Sequence, residues 1–146
     1  MALDSMQEIF DKIQAGRKPF WQVVRDTDVE ERQVTAEASF EKMHATWRAM
    51  VESVEGYDPA RRSACNLTGG DARKVETRAV SLAGPVLTDI IATALKVGEC
   101  NACMGRIVAA PTAGASGVLP AVLLPIRKKY DFSEEEMVKA LYVSAG

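Results

Sequence analysis

A long apolar stretch in the second half of the chain limits what this sequence can fold into. Residues 86 to about 108 have helical character and few charges, and a helix of this kind must be covered on most of its sides. Residues 107–126 have the length of a membrane-spanning helix. Helix-breaking residues interrupt them at Pro111, Gly114, Gly117, Pro120 and Pro125. We therefore predict two buried helices joined by a loop, and no membrane span.

Hydrophobic residues elsewhere in the chain recur at helical spacing. The clearest stripe predicts one long helix and consists of Phe40, Met43, Trp47, Met50, Val51 and Val54. Shorter stripes predict one helix from Leu3 to Gly16 and a second with Pro19 in its first turn. Residues 71–82 are compatible with a further helix.

The last two helices have clear end signals. Residues 118–130 finish with three cations, which favour a helix C-terminus. Ser133 and Glu136 then form a capping box, which predicts that the final helix starts there. No segment alternates β-branched and polar residues as a strand does. We predict an all-α fold, a helical domain whose apolar, buried helices are joined by two glycine-rich loops.

The charge balance and the cysteine content narrow the environments in which the chain would function. Eighteen Lys and Arg residues against twenty Asp and Glu residues give a net charge of −2, which provides no global attraction to nucleic acid or anionic membranes. Three cysteines, an odd number, do not fit a secreted disulfide framework. The first ten residues lack the pattern of a signal peptide. We expect a cytoplasmic protein.

The first glycine-rich loop, residues 65–71, places Gly69 and Gly70 directly before a predicted helix. The first amides of a helix lack intrahelical partners and attract anions, and glycines allow a ligand to approach the backbone. The loop therefore suits anion binding. A helix-capping turn, with Asp71 or Thr68 as the cap, explains the same residues equally well.

The second loop, residues 110–117, joins two apolar helices and contains Thr112 and Ser116. An unpaired buried hydroxyl costs on the order of 1–3 kcal/mol, so we expect both hydroxyls to find partners. The alternative is that they cap the next helix and that the glycines only permit close packing. Two loops of this type in one small chain favour a small anionic ligand such as a carboxylate.

Other residues that often take part in chemistry have structural explanations here. Cys100 and Cys103 have the spacing of redox and metal motifs, but they lie in a helical pattern without a second pair, which favours a structural role. Cys65 is left unassigned. His44 lies beside the long stripe and is predicted to be a packing or surface residue. Five cations near the first loop fit a solvated face or the attraction of an anion: Arg61, Arg62, Arg73, Lys74 and Arg78.

Three segments together resemble a known family. They are Leu-Thr-Gly-Gly-Asp at 67–71, Asn-Ala-Cys-Met-Gly-Arg-Ile at 101–107, and Ala-Pro-Thr-Ala-Gly-Ala-Ser-Gly-Val-Leu-Pro at 110–120. In order and spacing they resemble the α-chain, or α-domain, of iron–sulfur-dependent L-serine dehydratase, and the similarity covers most of the chain. The resemblance implies a helical domain and a lyase that uses a [4Fe–4S] cluster to convert L-serine to pyruvate and ammonia.

The resemblance also implies a substrate site in the two loops, where backbone amides hold the carboxylate of L-serine. The substrate-binding residues expected on this basis are Thr68, Gly69, Gly70, Thr112, Ala113, Gly114 and Ser116. No catalytic base is assigned. The family's cluster cysteines lie beyond residue 146, and the three cysteines present match none of them, so no metal ligand is expected in this chain.

The expected partners follow from the same resemblance. They are L-serine, the β-chain or β-domain, and the remaining C-terminal part of the α-domain, with a homo-oligomer as a further option. The uncharged end, residues 141–146, is typical of a cut chain or of a segment that docks into a partner. We expect residues 1–146 to be the N-terminal portion of the α-domain, inactive alone. Two alternatives stay open: a helical carboxylate-binding module without catalysis, and an inactive truncation whose apolar helices lack their cover.

Overall fold

The computed structural model of the chain describes residues 5–78 and 84–146. These residues form helices and loops without a β-strand, which confirms the all-α prediction for the described part of the chain. The helices are α1 (Met6–Gly16), α2 (Phe20–Arg32), α3 (Ala36–Glu55), α4 (Asp71–Glu76), α5 (Gly84–Ala102), α6 (Val118–Tyr130) and α7 (Glu134–Ala145). Leu3, at the start of the first predicted stripe, lies outside the described residues.

The chain divides into two compact units. The first unit contains the described residues up to Trp47 together with Ser133–Gly146. In it α2 packs against both α1 and α7. The Ser39 hydroxyl donates to the Asp28 carboxylate at 2.6 Å, so the Tyr142 hydroxyl, 2.7 Å away, is the donor to Ser39. This chain of hydrogen bonds joins α2, α3 and α7.

The first turn of α7 contains the predicted capping box. The Ser133 hydroxyl accepts a hydrogen bond from the Glu136 amide at 3.3 Å, and the Glu136 carboxylate accepts from the Ser133 amide at 2.8 Å. Two amides that a helix start would leave unpaired are thus satisfied. The start of α7 at this point is confirmed.

The second unit, Arg48–Phe132, is arranged around α5, which packs against both α4 and α6. Val97, in the second half of α5, is completely buried. A side chain at Gly117 would lie 3.2 Å from the Ala94 carbonyl oxygen, so this glycine allows the second loop to approach α5 closely. For Gly117 the packing alternative is confirmed.

The end of α5 differs from the prediction. The helix ends at Ala102, whereas the apolar pattern predicted an end near residue 108. Met104 adopts the left-handed conformation, and the amides of Met104 and Gly105 donate back to the carbonyls of Asn101 and Cys100 at 3.1 and 2.7 Å. This is the geometry of a Schellman termination. A side chain at Gly105 would collide with the Cys100 sulfur.

The helices α4 and α6 differ in how closely their ends agree with the prediction. The prediction of a helix over residues 71–82 is wrong in length, because α4 ends at Glu76, and residues 79–83 lie outside the described residues. α6 begins and ends as predicted, with its three cations in the last turn. No helix in the described ranges is both long enough and apolar enough to cross a bilayer.

Candidate functional site

The second loop presents consecutive backbone donors to its surroundings. Thr112, Ala113 and Gly114 are exposed and follow a cis peptide bond between Ala110 and Pro111. Within the described ranges, the amides of these three residues have no hydrogen-bond partner. Successive free amides in a turn are able to bind an anionic oxygen together. The loop therefore has the donors that a carboxylate requires.

The two hydroxyls of this loop are satisfied within it. The Thr112 hydroxyl oxygen accepts from the Ala115 amide at 3.3 Å, and the buried Ser116 hydroxyl donates to the Ala113 carbonyl at 2.7 Å. The prediction that they find partners is confirmed. The alternative that they cap the next helix is wrong, because the N-cap of α6 is Gly117, which makes no side-chain bond.

Gly114 has no structural neighbour that requires glycine. A side chain there would meet only the Thr112 hydroxyl oxygen, at 3.9 Å, and the backbone φ lies outside the left-handed region. Neither close packing nor backbone strain explains this glycine. The space in front of Gly114 is open to a group from outside the described chain.

The first loop is held by a residue that the sequence analysis missed. The carboxylate of Glu99 in α5 accepts hydrogen bonds from the amides of Gly70, Asp71 and Ala72 at 2.7, 2.7 and 3.0 Å. The helix that follows, α4, has no side-chain cap of its own. The expectation that Asp71 or Thr68 caps this helix is therefore wrong. An anion does occupy the helix start, and the protein supplies it.

The remaining residues of the first loop have strong backbone constraints. The Thr68 amide donates to the Ser63 hydroxyl at 3.1 Å, and the Thr68 carbonyl accepts from the Ser63 amide at 2.9 Å. Gly69 has φ +137, and a side chain at this position would collide with the Arg61 carbonyl oxygen. Within the part of the chain that the structure describes, the Gly69 amide has no partner. It is a free donor of this loop.

Two titratable groups near the first loop have shifted pKa values. Burial, together with the neighbouring Glu99 carboxylate, raises the pKa of Tyr57 to about 12, so its phenol stays protonated near neutral pH. Hydrogen bonds from the Ser63 hydroxyl and the Leu67 amide lower the pKa of the exposed Cys65 thiol. The pKa values of the Cys65 thiol, in the first loop, and of the Tyr57 phenol, which precedes this loop in the chain, are therefore shifted in opposite directions.

The cations around the first loop are exposed, as the sequence predicted for a solvated face. Arg62 is used locally: its guanidinium donates to the carbonyls of Pro59 and Arg61 at 2.8 and 3.0 Å. Lys74 pairs with Asp71 at 2.7 Å, and this pairing lowers the pKa of Asp71. The charge of Lys74 is therefore paired within α4, whereas the Arg62 guanidinium is bonded to neutral backbone carbonyls.

Both loops contact α5, but at different faces of it. The first loop is bonded to Glu99, and the second approaches Ala94 through Gly117. Five residues along a helix correspond to about 7.5 Å of rise and about 140° of rotation. α5 therefore organises both loops without bringing its two contact points to one face.

The cysteines do not form a metal site in the described residues. Cys65 is exposed, Cys100 is partly buried and Cys103 is buried. Within residues 5–78 and 84–146, no group of three or more His, Cys, Asp or Glu side chains is placed to hold a metal ion. The cysteines of this chain thus do not fit the iron–sulfur cluster that the resemblance implies. In the first unit, His44 lies 2.9 Å from a Glu134 carboxylate oxygen, which agrees with a packing and surface role.

Comparison with known families agrees with the pattern of the loops. The sequence profile of the family described as "Serine dehydratase alpha chain" matches residues 16–146. The chain belongs to this family. The resemblance predicted from the two loops and the segment between them is thereby confirmed. No solved structure gives a significant match.

Individual members of the serine dehydratase α-chain family are moderately similar to this chain in sequence. The chain is 33% identical over 127 residues to the probable L-serine dehydratase α chain of Bacillus subtilis, covering 85% of this chain and 42% of that one. It is 28% identical over 148 residues to the L-serine dehydratase α chain of Peptoniphilus asaccharolyticus, with coverages of 99% and 51%. The chain thus spans about half the length of these relatives or less.

Proposed function

We propose that this chain is a segment of an L-serine dehydratase, which converts L-serine to pyruvate and ammonia, and that its second loop binds the serine carboxylate. The observation that carries the proposal is the row of free, exposed amides at Thr112, Ala113 and Gly114. Hydrogen bonds from amides to a carboxylate are charge-assisted and stronger than neutral ones. The names of the relatives, L-serine dehydratase α chain, support the proposed substrate and a dehydration.

Each proposed substrate-binding residue has a distinct part in this proposal. Gly114 leaves the approach to the amides open, and Ser116 holds the loop by its bond to the Ala113 carbonyl. In the first loop the Gly69 amide and the Thr68 side chain are the groups proposed to reach the substrate. Gly70 contributes through the shape of the backbone, because its amide is bonded to Glu99.

The reaction requires more than these loops provide. A base removes the α-proton of serine, the β-hydroxyl leaves as water, and the resulting aminoacrylate tautomerises and is hydrolysed to pyruvate and ammonia. We assign no base to this chain. We propose that the base and the ligands of the iron–sulfur cluster come from parts of the complete enzyme outside residues 1–146, including its β chain or β domain. We further propose that residues 1–146 alone do not catalyse the reaction.

The proposal is tested by replacing Gly114 with Val in the complete enzyme. A branched side chain would fill the open space in front of Gly114 and hinder the approach of a carboxylate to the loop. Because each charge-assisted hydrogen bond contributes about 1.5–3 kcal/mol, we expect KM for L-serine to rise at least about tenfold, with turnover lost at ordinary serine concentrations. Pyruvate formation and serine binding by calorimetry measure both effects.

The matched control is Gly98→Val. Gly98 is an exposed residue of α5 at which an added side chain meets no atom within 4 Å. This variant should retain wild-type kinetics. Unchanged kcat/KM in Gly114→Val would show that the second loop does not bind the substrate. Serine binding without pyruvate formation in the wild-type complete protein would instead favour a carboxylate-binding module.

A further inference from the structure

Glu99 is a buried acid that is not among the proposed substrate-binding residues. Glu99 is only 4% exposed, and its carboxylate accepts three backbone hydrogen bonds. The Tyr57 hydroxyl lies beside it, and both residues line a small cavity of about 20 Å³ with Cys100 and Cys103. A buried carboxylate is retained only where such donors compensate its desolvation.

The two oxygens of Glu99 serve different parts of the backbone. Oε1 accepts from Asp71 and Ala72, in the first turn of α4, and so replaces a helix cap. Oε2 accepts from Gly70, the last residue before α4, which has φ +81. One side chain therefore both starts a helix and fixes the end of a loop.

Fixing Gly70 also restrains the residue before it. Gly69 has a backbone conformation unusual for other residues, φ +137, and its amide has no partner in the described residues. The peptide plane between Gly69 and Gly70 carries the amide that Glu99 holds. The Gly69 amide lies in the preceding peptide plane, whose Thr68 carbonyl accepts from the Ser63 amide. The two planes meet at the Gly69 α-carbon, so the bond to Oε2 restrains the Gly69 amide through the Gly69 dihedral angles.

We propose that Glu99 is a positioning residue of the serine site, which acts through Gly70 on the Gly69 amide. The inference rests on the proposed function, because it takes the first loop as part of the substrate site. Glu99 does not touch the substrate. Its loss should therefore weaken serine binding more than it slows the bound substrate's reaction.

The test is Glu99→Gln in the complete enzyme. Glutamine keeps the length of the side chain and one oxygen, which is able to cap α4, but its NH2 group cannot accept from Gly70. We expect at least about tenfold faster hydrogen exchange in the peptide that covers residues 63–70, with α4 still protected. We expect KM for L-serine to rise about tenfold while kcat changes less than about threefold.

A matched control and a second variant test whether the effect is specific to the Glu99 carboxylate. Glu52→Gln makes the same chemical change at an exposed carboxylate, 3.2 Å from Arg106, and should leave exchange and KM unchanged. Glu99→Ala opens a space in which added formate is able to replace the carboxylate. Without serine present, formate should restore slow exchange at residues 63–70 in Glu99→Ala and have no effect on Glu52→Gln.

The outcomes separate this inference from the proposed function. If Gly114→Val raises KM and Glu99→Gln does not, the positioning role is wrong and the proposed function stands. If only Glu99→Gln raises KM, the second loop is not the carboxylate site and the positioning role stands. Wild-type exchange at residues 63–70 in Glu99→Gln would overturn the positioning role whatever the kinetics.

Discussion

Two glycines near the end of α5 differ in the space available for a side chain. Gly105 is packed against Cys100, whereas the neighbourhood of Gly98 is open. We expect Gly105→Ala to destabilise the complete protein by more than about 1 kcal/mol, because the added carbon must displace the Cys100 sulfur and its carbonyl oxygen, 2.9 Å away. The midpoint of chemical denaturation measures this change.

Gly98→Ala is the matched control for this prediction. Alanine is favoured over glycine within a helix by roughly 0.5–1 kcal/mol, so this variant should be slightly more stable than the wild type. Equal stability of the two variants would contradict the close packing described at Gly105.

Glu99 and Met104 show what the sequence hides at the scale of single residues. An acid at a buried position of a mostly apolar helix needs partners, but the sequence does not say where they are. Its partners lie 27 to 29 residues earlier in the chain. Met104 adopts the left-handed conformation that glycine usually provides at a helix end. The sequence therefore has no glycine at the position where α5 terminates.

The capping box of α7 makes the stability of this element depend on pH. Hydrogen bonds from the Ser133 amide and hydroxyl hold the pKa of Glu136 below its usual value of 4.5. A lowered folded-state pKa stabilises the fold above the unfolded value, and this contribution disappears as pH falls through the folded value. Ser133→Ala should therefore cost about 0.5–2 kcal/mol near neutral pH and less in acid.

Denaturation of both proteins well above and well below pH 4.5 measures the effect. Ser144→Ala is the control, because its hydroxyl donates to the Leu141 carbonyl in the same helix and contacts no carboxylate in the described chain. A Ser133→Ala deficit that stays constant across this range would contradict the role of Glu136.

Helices with strong local signals were predictable, and helices that depend on distant contacts were less so. The hydrophobic stripe of α3 and the capping box of α7 are local features, and both helices were found from them. α4 has six residues and depends on Glu99, so its short length was not predictable. The second loop was found as a loop, but the free amides at residues 112–114 are a property of its three-dimensional conformation.

At the scale of the whole molecule, the cysteines of this chain are predicted to be dispensable for the metal content of the complete enzyme. The described residues place no three ligands together, and the three cysteines differ in burial. Replacing Cys65, Cys100 and Cys103 by Ala, singly, in the complete enzyme should leave iron and sulfide per chain unchanged. Elemental analysis and visible absorbance after anaerobic reconstitution measure this.

The reference for these variants is the wild-type complete enzyme reconstituted in parallel. Loss of iron from a variant that keeps its helical circular dichroism would identify that cysteine as a ligand. The fold class and the family were both predictable from the sequence, because helical periodicity and the order of the three segments are properties of the whole chain. The substrate site stays a prediction.

The bond between Glu99 and the start of α4 also bears on the order in which the chain is made and folded. Gly70, Asp71 and Ala72 are synthesised 29, 28 and 27 residues before the carboxylate that pairs with them. At about 5–20 residues per second, a nascent chain carries these amides for roughly 1–6 s before their partner exists. A six-residue helix has little stability by itself. During translation α4 therefore emerges before α5 but acquires its structure after it.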